Sequence, residues 1–253
     1  METMTTKDTL FLNEKMGDSP FEFNQSTTNV FDDMLNRSVP FYQTIQRLIT
    51  QTAIQHLSLQ KHPTIIDFGC SLGTTLINIG NALDTPSTLI GIDSSPSMIE
   101  KAKANSSPQK HKSLKKHTYK WIEQDLNKKV TPLLPKSTLI IMNLTLQFIK
   151  KENRLQLLKS IYETLDDDGI FILVEKTIEK DKWMTDYFEK KYYKFKKQSG
   201  YTEKEIINKK KALKTVLTPL TKEKNITLLN TAGFALAAPI FQWYNFCVIL
   251  GKK

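Results

Sequence analysis

From position 64 onward the chain alternates between two hydrophobic rhythms. Short β-branched runs, TIIDF from Thr64, TLIGID (88–93), TYKWIEQD (118–125), STLIIMNLTL (137–146) and GIFILVEK (169–176), are separated by stretches whose apolar residues recur every three or four positions. The first rhythm suits strands and the second helices. Helices are predicted from Leu72 (with Leu76, Ile77 and Ile79), from Pro96 to Ala104 and from Glu152 to Leu165. Alternation of this length implies a parallel sheet with helices on both faces. The runs at 88 and 138 are almost unbroken in apolar residues and are expected to be central, since a parallel strand is buried on both faces. DDDG at 166–169 reads as a turn.

The two ends and one interruption complete the pattern. Residues 1 to about 60 carry apolar surface at Phe21, Phe23, Val30, Phe31, Met34 and Leu35, then a helical pattern after Pro40 at Ile45, Leu48, Ile49 and Ala53. They read as a helical cap. Thr177 to about Thr218 is lysine-rich and helical in pattern, with Tyr187, Phe188, Tyr192, Tyr193 and Phe195 before a break at Gly200. A last helix, about Thr221 to Thr231, leads to PIFQWYN and FCVILG, which resemble a closing antiparallel pair. The whole is predicted to be one α/β Rossmann-like domain, 1–253. Its sheet is mostly parallel and seven-stranded, with an N-terminal helical cap (1–60) and a helical insertion (177–218) before the last strands.

Composition narrows the setting. With 253 residues, 40% hydrophobic and 25% charged, the chain matches an ordinary globular protein. No window approaches the ~18 apolar residues of a membrane span, and METMTTKDTL has no apolar leader, so a cytoplasmic protein without membrane contact is expected. The cysteines, Cys70 and Cys247, fit a reducing compartment and belong to no metal-spacing array, so no metal is expected. The net charge is +10, yet only Arg37, Arg47 and Arg154 are arginine against 33 lysines. Nucleic-acid readers favour arginine for its planar fork, so direct nucleic-acid binding is not expected. KKYYKFKK at 190–197 is read likewise, as an amphipathic helix packing Tyr193 and Phe195 with lysine heads in solvent rather than as a strand-stacking platform.

The chemistry centres on DFGCSLG, Asp67 to Gly73, a strand-to-helix turn where glycine lets the backbone approach a ligand. About twenty residues on, Asp93 ends the next strand, where a carboxylate accepts from both ribose hydroxyls of an adenosine ligand. NAD and S-adenosylmethionine (SAM) both satisfy that spacing. SAM is favoured because no GxGxxG is present and Asp67 suits the amino-acid end of the ligand. Asp125 follows a third strand, positioned to meet an adenine amino group, and Asn143 ends a fourth, where class I methyltransferases face the reacting sulfonium. Singly, Asp67 could cap the turn and Asp93 could start the helix at Pro96; at successive strand ends they converge on one ligand. Cys70 has no histidine partner in view, His56, His62, His111 and His117 lying in polar or loop contexts, so a thiol mechanism is set aside. Glu175 is read as a strand-end acid paired with a nearby lysine, with a role as base the alternative.

DFGCSLG, IDSSPSMIEKA, NLTLQFI, GYTEKEI and FDDMLNRSVPFY together resemble the carboxy-SAM synthase family, class I methyltransferase relatives, over nearly the whole chain from KDTLF at 7 to FQWYNF at 241. The resemblance implies conversion of SAM and prephenate to carboxy-SAM and phenylpyruvate. It further implies a homodimer, and a separate enzyme that uses the product on the wobble uridine of transfer RNA. It implies a ligand shell of Tyr42, Gly69, Cys70, Ser71, Asp93, Ser94, Asp125, Leu126 and Asn143, Ser94 standing where the family has Asn. The family's carboxylate-gripping arginine is replaced by Lys210. Either Lys210 acts as a point charge, or Arg37 compensates, or the activity has drifted to ordinary methyl transfer on a small acidic molecule or RNA.

Overall fold

The computed structural model describes residues 6–128 and 134–253; the first five residues of the expected cap lie outside that range. The chain opens with three helices, α1 (Lys15–Asp18), α2 (Gln25–Ser38) and α3 (Tyr42–Leu57). Then follow β1 (Thr64–Phe68), α4 (Thr74–Ala82), β2 (Thr88–Asp93), α5 (Pro96–Asn105), β3 (Thr118–Glu123), β4 (Ser137–Asn143), α6 (Lys151–Thr164) and β5 (Leu165–Ile178). Next come α7 (Lys182–Gln198), α8 (Glu203–Leu213), the short β6 (Leu220–Thr221), α9 (Lys222–Ala232), β7 (Leu236–Trp243) and β8 (Phe246–Lys252). Local chemistry accounts for several helix starts. Asn24, Ser95 and Asp181 accept from the third residue of α2, α5 and α7, Pro96 opens α5, and Thr202 with Glu205 forms a capping box on α8.

The sheet runs β3-β2-β1-β4-β5-β8-β7, with β6 attached to β5 alone. The first five strands are parallel, and β8 joins β5 antiparallel, as does β7 to β8. The expected class I methyltransferase architecture is therefore present, along with the seven-stranded path. The chain steps outward from β1 to β2 and β3, then crosses to β4, so strand order reverses between β1 and β4. Side chains alternate between two cores. Ile66, Ile140, Met142, Phe171 and Leu173 pack beneath α6 and α9, while Ile65, Leu139, Ile141, Ile172 and Val174 pack beneath α3 and α4. A third cluster, with Phe11, Phe31 and Met34, joins the cap to Leu72 and Met98 beside the turn.

Three expectations need correction. β4 is central, but β2 lies one place in from the edge; an apolar run reports cover on both faces, not rank in the sheet. DDDG at 166–169 is no turn: it lies within β5, whose register against β4 shifts between Ser137 and Leu139, so the extra residues bulge. In α7 it is Tyr192 and Phe195 that face inward, against Phe246 and Trp243, and the Lys196 head is buried rather than solvated. Residues 192, 195 and 196 share one helical face, so Lys196 follows its neighbours inward.

Candidate functional site

A cavity of about 370 Å³ opens at the carboxyl ends of β1, β2 and β4, beside the strand-order reversal. Its floor is the turn after β1. Gly69, Ser71 and Gly73 all have positive φ, at 82°, 46° and 77°. Gly69 and Cys70 both donate to the Ile92 carbonyl, at 2.7 and 3.0 Å, and Gly73 donates to the Cys70 carbonyl at 2.8 Å. A Cβ on Gly69 would overlap the Thr145 side chain, and one on Gly73 would lie 2.6 Å from the Trp121 ring. Glycine is required there by conformation and by space together.

Acids surround this floor. Asp93 accepts from the Ser71 amide through Oδ2 and from the Ser95 amide through Oδ1, each at 2.9 Å. Burial holds its carboxyl above the usual range, against the opposing pull of the Ser95, Ser71 and Ser94 amides. Asp67 is 1% exposed, its Oδ1 has no hydrogen-bond partner, and burial followed by the charge of Asp93 pushes its carboxyl up to about 8. Its Oδ1 therefore caps no turn amide, and Asp67 is a lining residue of the cavity. Asn143 is similar: its Nδ2 reaches Thr75 Oγ1 at 3.5 Å and its Oδ1 is buried without a partner. Tyr42 accepts from Gln46 Nε2 at 2.9 Å, leaving its own hydroxyl proton free to donate. Buried polar atoms left open around one space suit a ligand with several polar ends.

The structure brings Tyr42, Gly69, Cys70, Ser71, Asp93, Ser94, Asp125, Leu126 and Asn143 together as lining of this one cavity. Burial pushes the Cys70 thiol well up, the opposite of what a nucleophile needs. Lys210 is elsewhere: its side chain is 70% exposed and its Nζ lies 2.7 Å from Glu189 Oε2. Arg37 is also outside, and its guanidinium is committed. It donates to the carbonyls of Ser199, Asp8 and Gly200 at 2.9, 3.1 and 2.8 Å, pairs with Asp33 at 3.1 Å, and stacks on Tyr201. The neighbour of Lys210, Lys209, lines the cavity instead, donating to Ser38 Oγ at 2.8 Å and lying 3.5 Å from Asp8 Oδ2.

Glu175 is buried but does not line the cavity. Its opposing charge is Arg154, not a lysine, and burial pushes its carboxyl up to about 8 against the pull of that arginine. The reason is topological: β5 continues to Ile178, so Glu175 is inside the sheet facing α6 rather than at its end. Sequence reading passed over Lys176, Tyr192, Lys209 and the cap aromatics Phe21, Phe23 and Phe31, all of which line the cavity. Packing, not residue type, separates Lys209 from Lys210. Glu205, Asn208, Lys209 and Ala212 form the buried face of α8 at helical spacing, and Lys210 falls off it.

Among the described residues no group of three His, Cys, Asp or Glu side chains could hold a metal ion, and no helix is long and apolar enough to cross a membrane. A methyltransferase domain family model matches residues 66–171, the turn and the four strands around it. Solved structures with similar folds include the plantazolicin methyltransferase in complex with SAH (TM-score 0.63, 18% identity, covering 96% of each chain). Another is an O-methyltransferase family protein from Burkholderia thailandensis (TM-score 0.61, 13% identity, covering 96% of this chain and 66% of that one). Sequence relatives extend over almost the full length. The carboxy-S-adenosyl-L-methionine synthase of Methylococcus capsulatus is 39% identical over 234 residues, 92% of this chain and 93% of the relative. That of Nautilia profundicola is 40% identical over 233 residues, with 92% and 94% covered. That of Desulfotalea psychrophila is 35% identical over 248 residues, with 98% and 97% covered.

Proposed function

The chain belongs to the carboxy-S-adenosyl-L-methionine synthase family, and from that premise we propose that it converts SAM and prephenate to carboxy-SAM and phenylpyruvate. The observation that carries this reading is the single cavity in which Asp67, Asp93, Asp125 and Asn143 converge on the glycine turn. On this reading Asp93 accepts from the ribose hydroxyls and Asp125 from the adenine amino group. Asp67 receives the ammonium of the amino-acid end, and Asn143 lies beside the sulfonium methyl. Tyr42, Gly69, Cys70, Ser71, Ser94 and Leu126 complete the shell.

The reaction balances without an external oxidant. Prephenate loses its ring carboxylate as CO₂ and its ring hydroxyl as hydroxide, aromatising to phenylpyruvate. The sulfonium methyl gives a proton to that hydroxide, forming water, and the resulting carbanion takes up the CO₂. The enzyme's task is to hold the two anionic and cationic partners together in a space closed to water, which the apolar roof of Phe21, Phe23, Phe31 and Phe148 favours. Incubation with SAM and prephenate, followed by mass spectrometry of the nucleoside product, is expected to give carboxylated SAM. Unchanged SAM across a broad range of conditions overturns the reading.

The outward position of Lys210 on Glu189 favours one competing reading, ordinary methyl transfer to a small acidic molecule or RNA. It predicts S-adenosylhomocysteine (SAH) release with an acceptor and no carboxylated nucleoside. The further elements of the proposal are a cytoplasmic homodimer whose product serves a separate tRNA-modifying enzyme. Trp183, 67% exposed and stacked on Tyr187 on the outer side of α7, supports the dimer as an apolar surface open to a second copy.

A further inference from the structure

Where α7 passes over the end of β5, the cavity has a cationic wall. Lys176 lines it, two residues beyond Val174, and Val174 is the β5 partner of Asn143. At the strand rise, Lys176 is therefore about 7 Å along the sheet from the Asn143 level and, by the period of two, on the same face as Val174. The Lys176 ammonium lies 4.9 Å from the centroid of the Tyr192 ring, and that of Lys196 lies 4.4 Å from the same centroid. The two charges are thus no more than about 9 Å apart. Tyr192 itself lines the cavity, and its hydroxyl is tied down by donating to the Ser38 carbonyl at 2.8 Å.

The cations on and behind this wall are not all partnered. Arg37 is paired with Asp33, Lys209 lies near Asp8, and Lys210 is paired with Glu189. Among the described residues, Lys176 and Lys196 make no ion pair and no hydrogen bond from Nζ. Lys196 is only 8% exposed, so it has lost most of its hydration as well. Burial, then the neighbouring ammoniums of Lys176, Lys209 and Lys210, pull Lys196 down to about 7, and burial also lowers Lys176, in both cases against the charge of Glu189. Glu189 is the acid whose charge reaches both, and it is already paired with Lys210, so the cluster keeps a net positive charge that suits an anion brought in from outside.

We propose that Lys176 and Lys209, which line the cavity together with Tyr192, form the subsite that receives the carboxylates of a dicarboxylate second substrate, with Lys196, against the Tyr192 ring but not on the cavity lining, adding positive charge from behind. This rests on the carboxy-SAM synthase reading for the identity of the occupant, prephenate, and assigns the residues that hold it. The subsite is separate from the adenosine end of the cavity, where Asp93 and Asp125 lie. Lysines hold an anion as point charges without a fixed fork, so the same wall tolerates a carboxylate that shifts as the substrate loses CO₂.

The test is calorimetric titration of prephenate into the protein saturated with SAH, using wild type, Lys176→Gln, Lys196→Gln and Lys176→Arg. Lys176→Gln is expected to bind prephenate roughly tenfold to a hundredfold more weakly, the range for losing one charge-assisted contact, and Lys196→Gln more weakly than wild type by a smaller factor, each with SAH affinity within twofold of wild type. Lys176→Arg recovers most of the affinity. In turnover, the KM for prephenate rises by a similar factor while the KM for SAM holds. Should Lys196→Gln fail to fold, the more accessible Lys176→Gln decides alone. Unchanged prephenate affinity in Lys176→Gln, an equal loss of SAH affinity, or absence of prephenate binding to wild type each overturns the subsite. Lysine-dependent binding without carboxy-SAM formation leaves the subsite standing and removes the proposed reaction; carboxy-SAM formation with indifferent variants does the reverse.

Discussion

Asp67→Asn offers a test in which stability and ligand binding move in opposite directions. The wild-type carboxyl is buried beside Asp93 and pushed up to about 8, against about 3.9 in an unfolded chain. Between those values the folded protein holds a proton that the unfolded chain has released. Folding stability therefore falls as pH rises from about 4 to about 8, by up to ~1.4 kcal/mol per pH unit. From pH 5 to pH 8 the contribution is at most about 4 kcal/mol, on the order of ten degrees in melting temperature for a domain of this size. Glu175, also pushed up to about 8, adds a slope of the same sign, so the difference between wild type and Asp67→Asn isolates Asp67. Asparagine is nearly isosteric and carries no charge, so without ligand the variant is expected to melt several degrees higher at pH 8 and to match wild type near pH 5. A ligand ammonium stabilises the carboxylate, so wild type at pH 7 should release close to one proton on binding SAH. The variant should release none and bind more weakly. Calorimetry in phosphate and in Tris, whose ionisation enthalpies differ, reads the proton directly. A binding enthalpy for wild type that does not depend on buffer, or parallel stability curves for the two proteins, refutes this account of Asp67.

Other perturbations probe the rest of the molecule. Arg154→Met removes a buried guanidinium that donates to the carbonyls of Ile149, Gln147 and Thr218, and should cost roughly 3–5 kcal/mol, read as a lowered denaturant midpoint; a midpoint shift worth under about 1 kcal/mol contradicts it. Gly69→Ala forces a side chain into Thr145 at a φ of 82° and should abolish SAH binding even where the fold survives, as followed by titration. Lys210→Ala breaks only an exposed pair with Glu189, so stability should change by less than ~1 kcal/mol and the prephenate KM by less than threefold. A tenfold rise in that KM would mean that Lys210 reaches the second substrate after all. Trp183→Asp should shift the protein from dimer toward monomer in sedimentation, and an unchanged sedimentation coefficient removes that face from the dimer interface.

The amino-acid sequence by itself determined the alternation of strands and helices, the turn at Asp67–Gly73 and the acids that follow it. These are local matters. Hydrophobic period sets the element type, and parallel strands deliver their carboxyl ends to one edge, so Gly69, Asp93, Asp125 and Asn143 could be brought to one ligand without knowing any long-range contact. The strand after α6 was legible in type but not in length, because the register shift that folds DDDG into β5 depends on its pairing with β4. The charged wall was beyond local reading for a related reason. Among Lys209, Lys210 and Lys211 the residue types are identical, and only the packing of α8 through Glu205, Asn208 and Ala212 selects Lys209 to face inward. Lys176 and Lys196, twenty residues apart on the consecutive elements β5 and α7, come to the same ring because α7 folds back over β5 and places Tyr192 between them. Arg37 looked free for a ligand until the carbonyls of Ser199 and Gly200 arrived to occupy it. A side chain's partners depend on which distant surface covers it, and burial then decides its charge state, so the adenosine end of the site was written in local order while its anionic end was decided by tertiary packing.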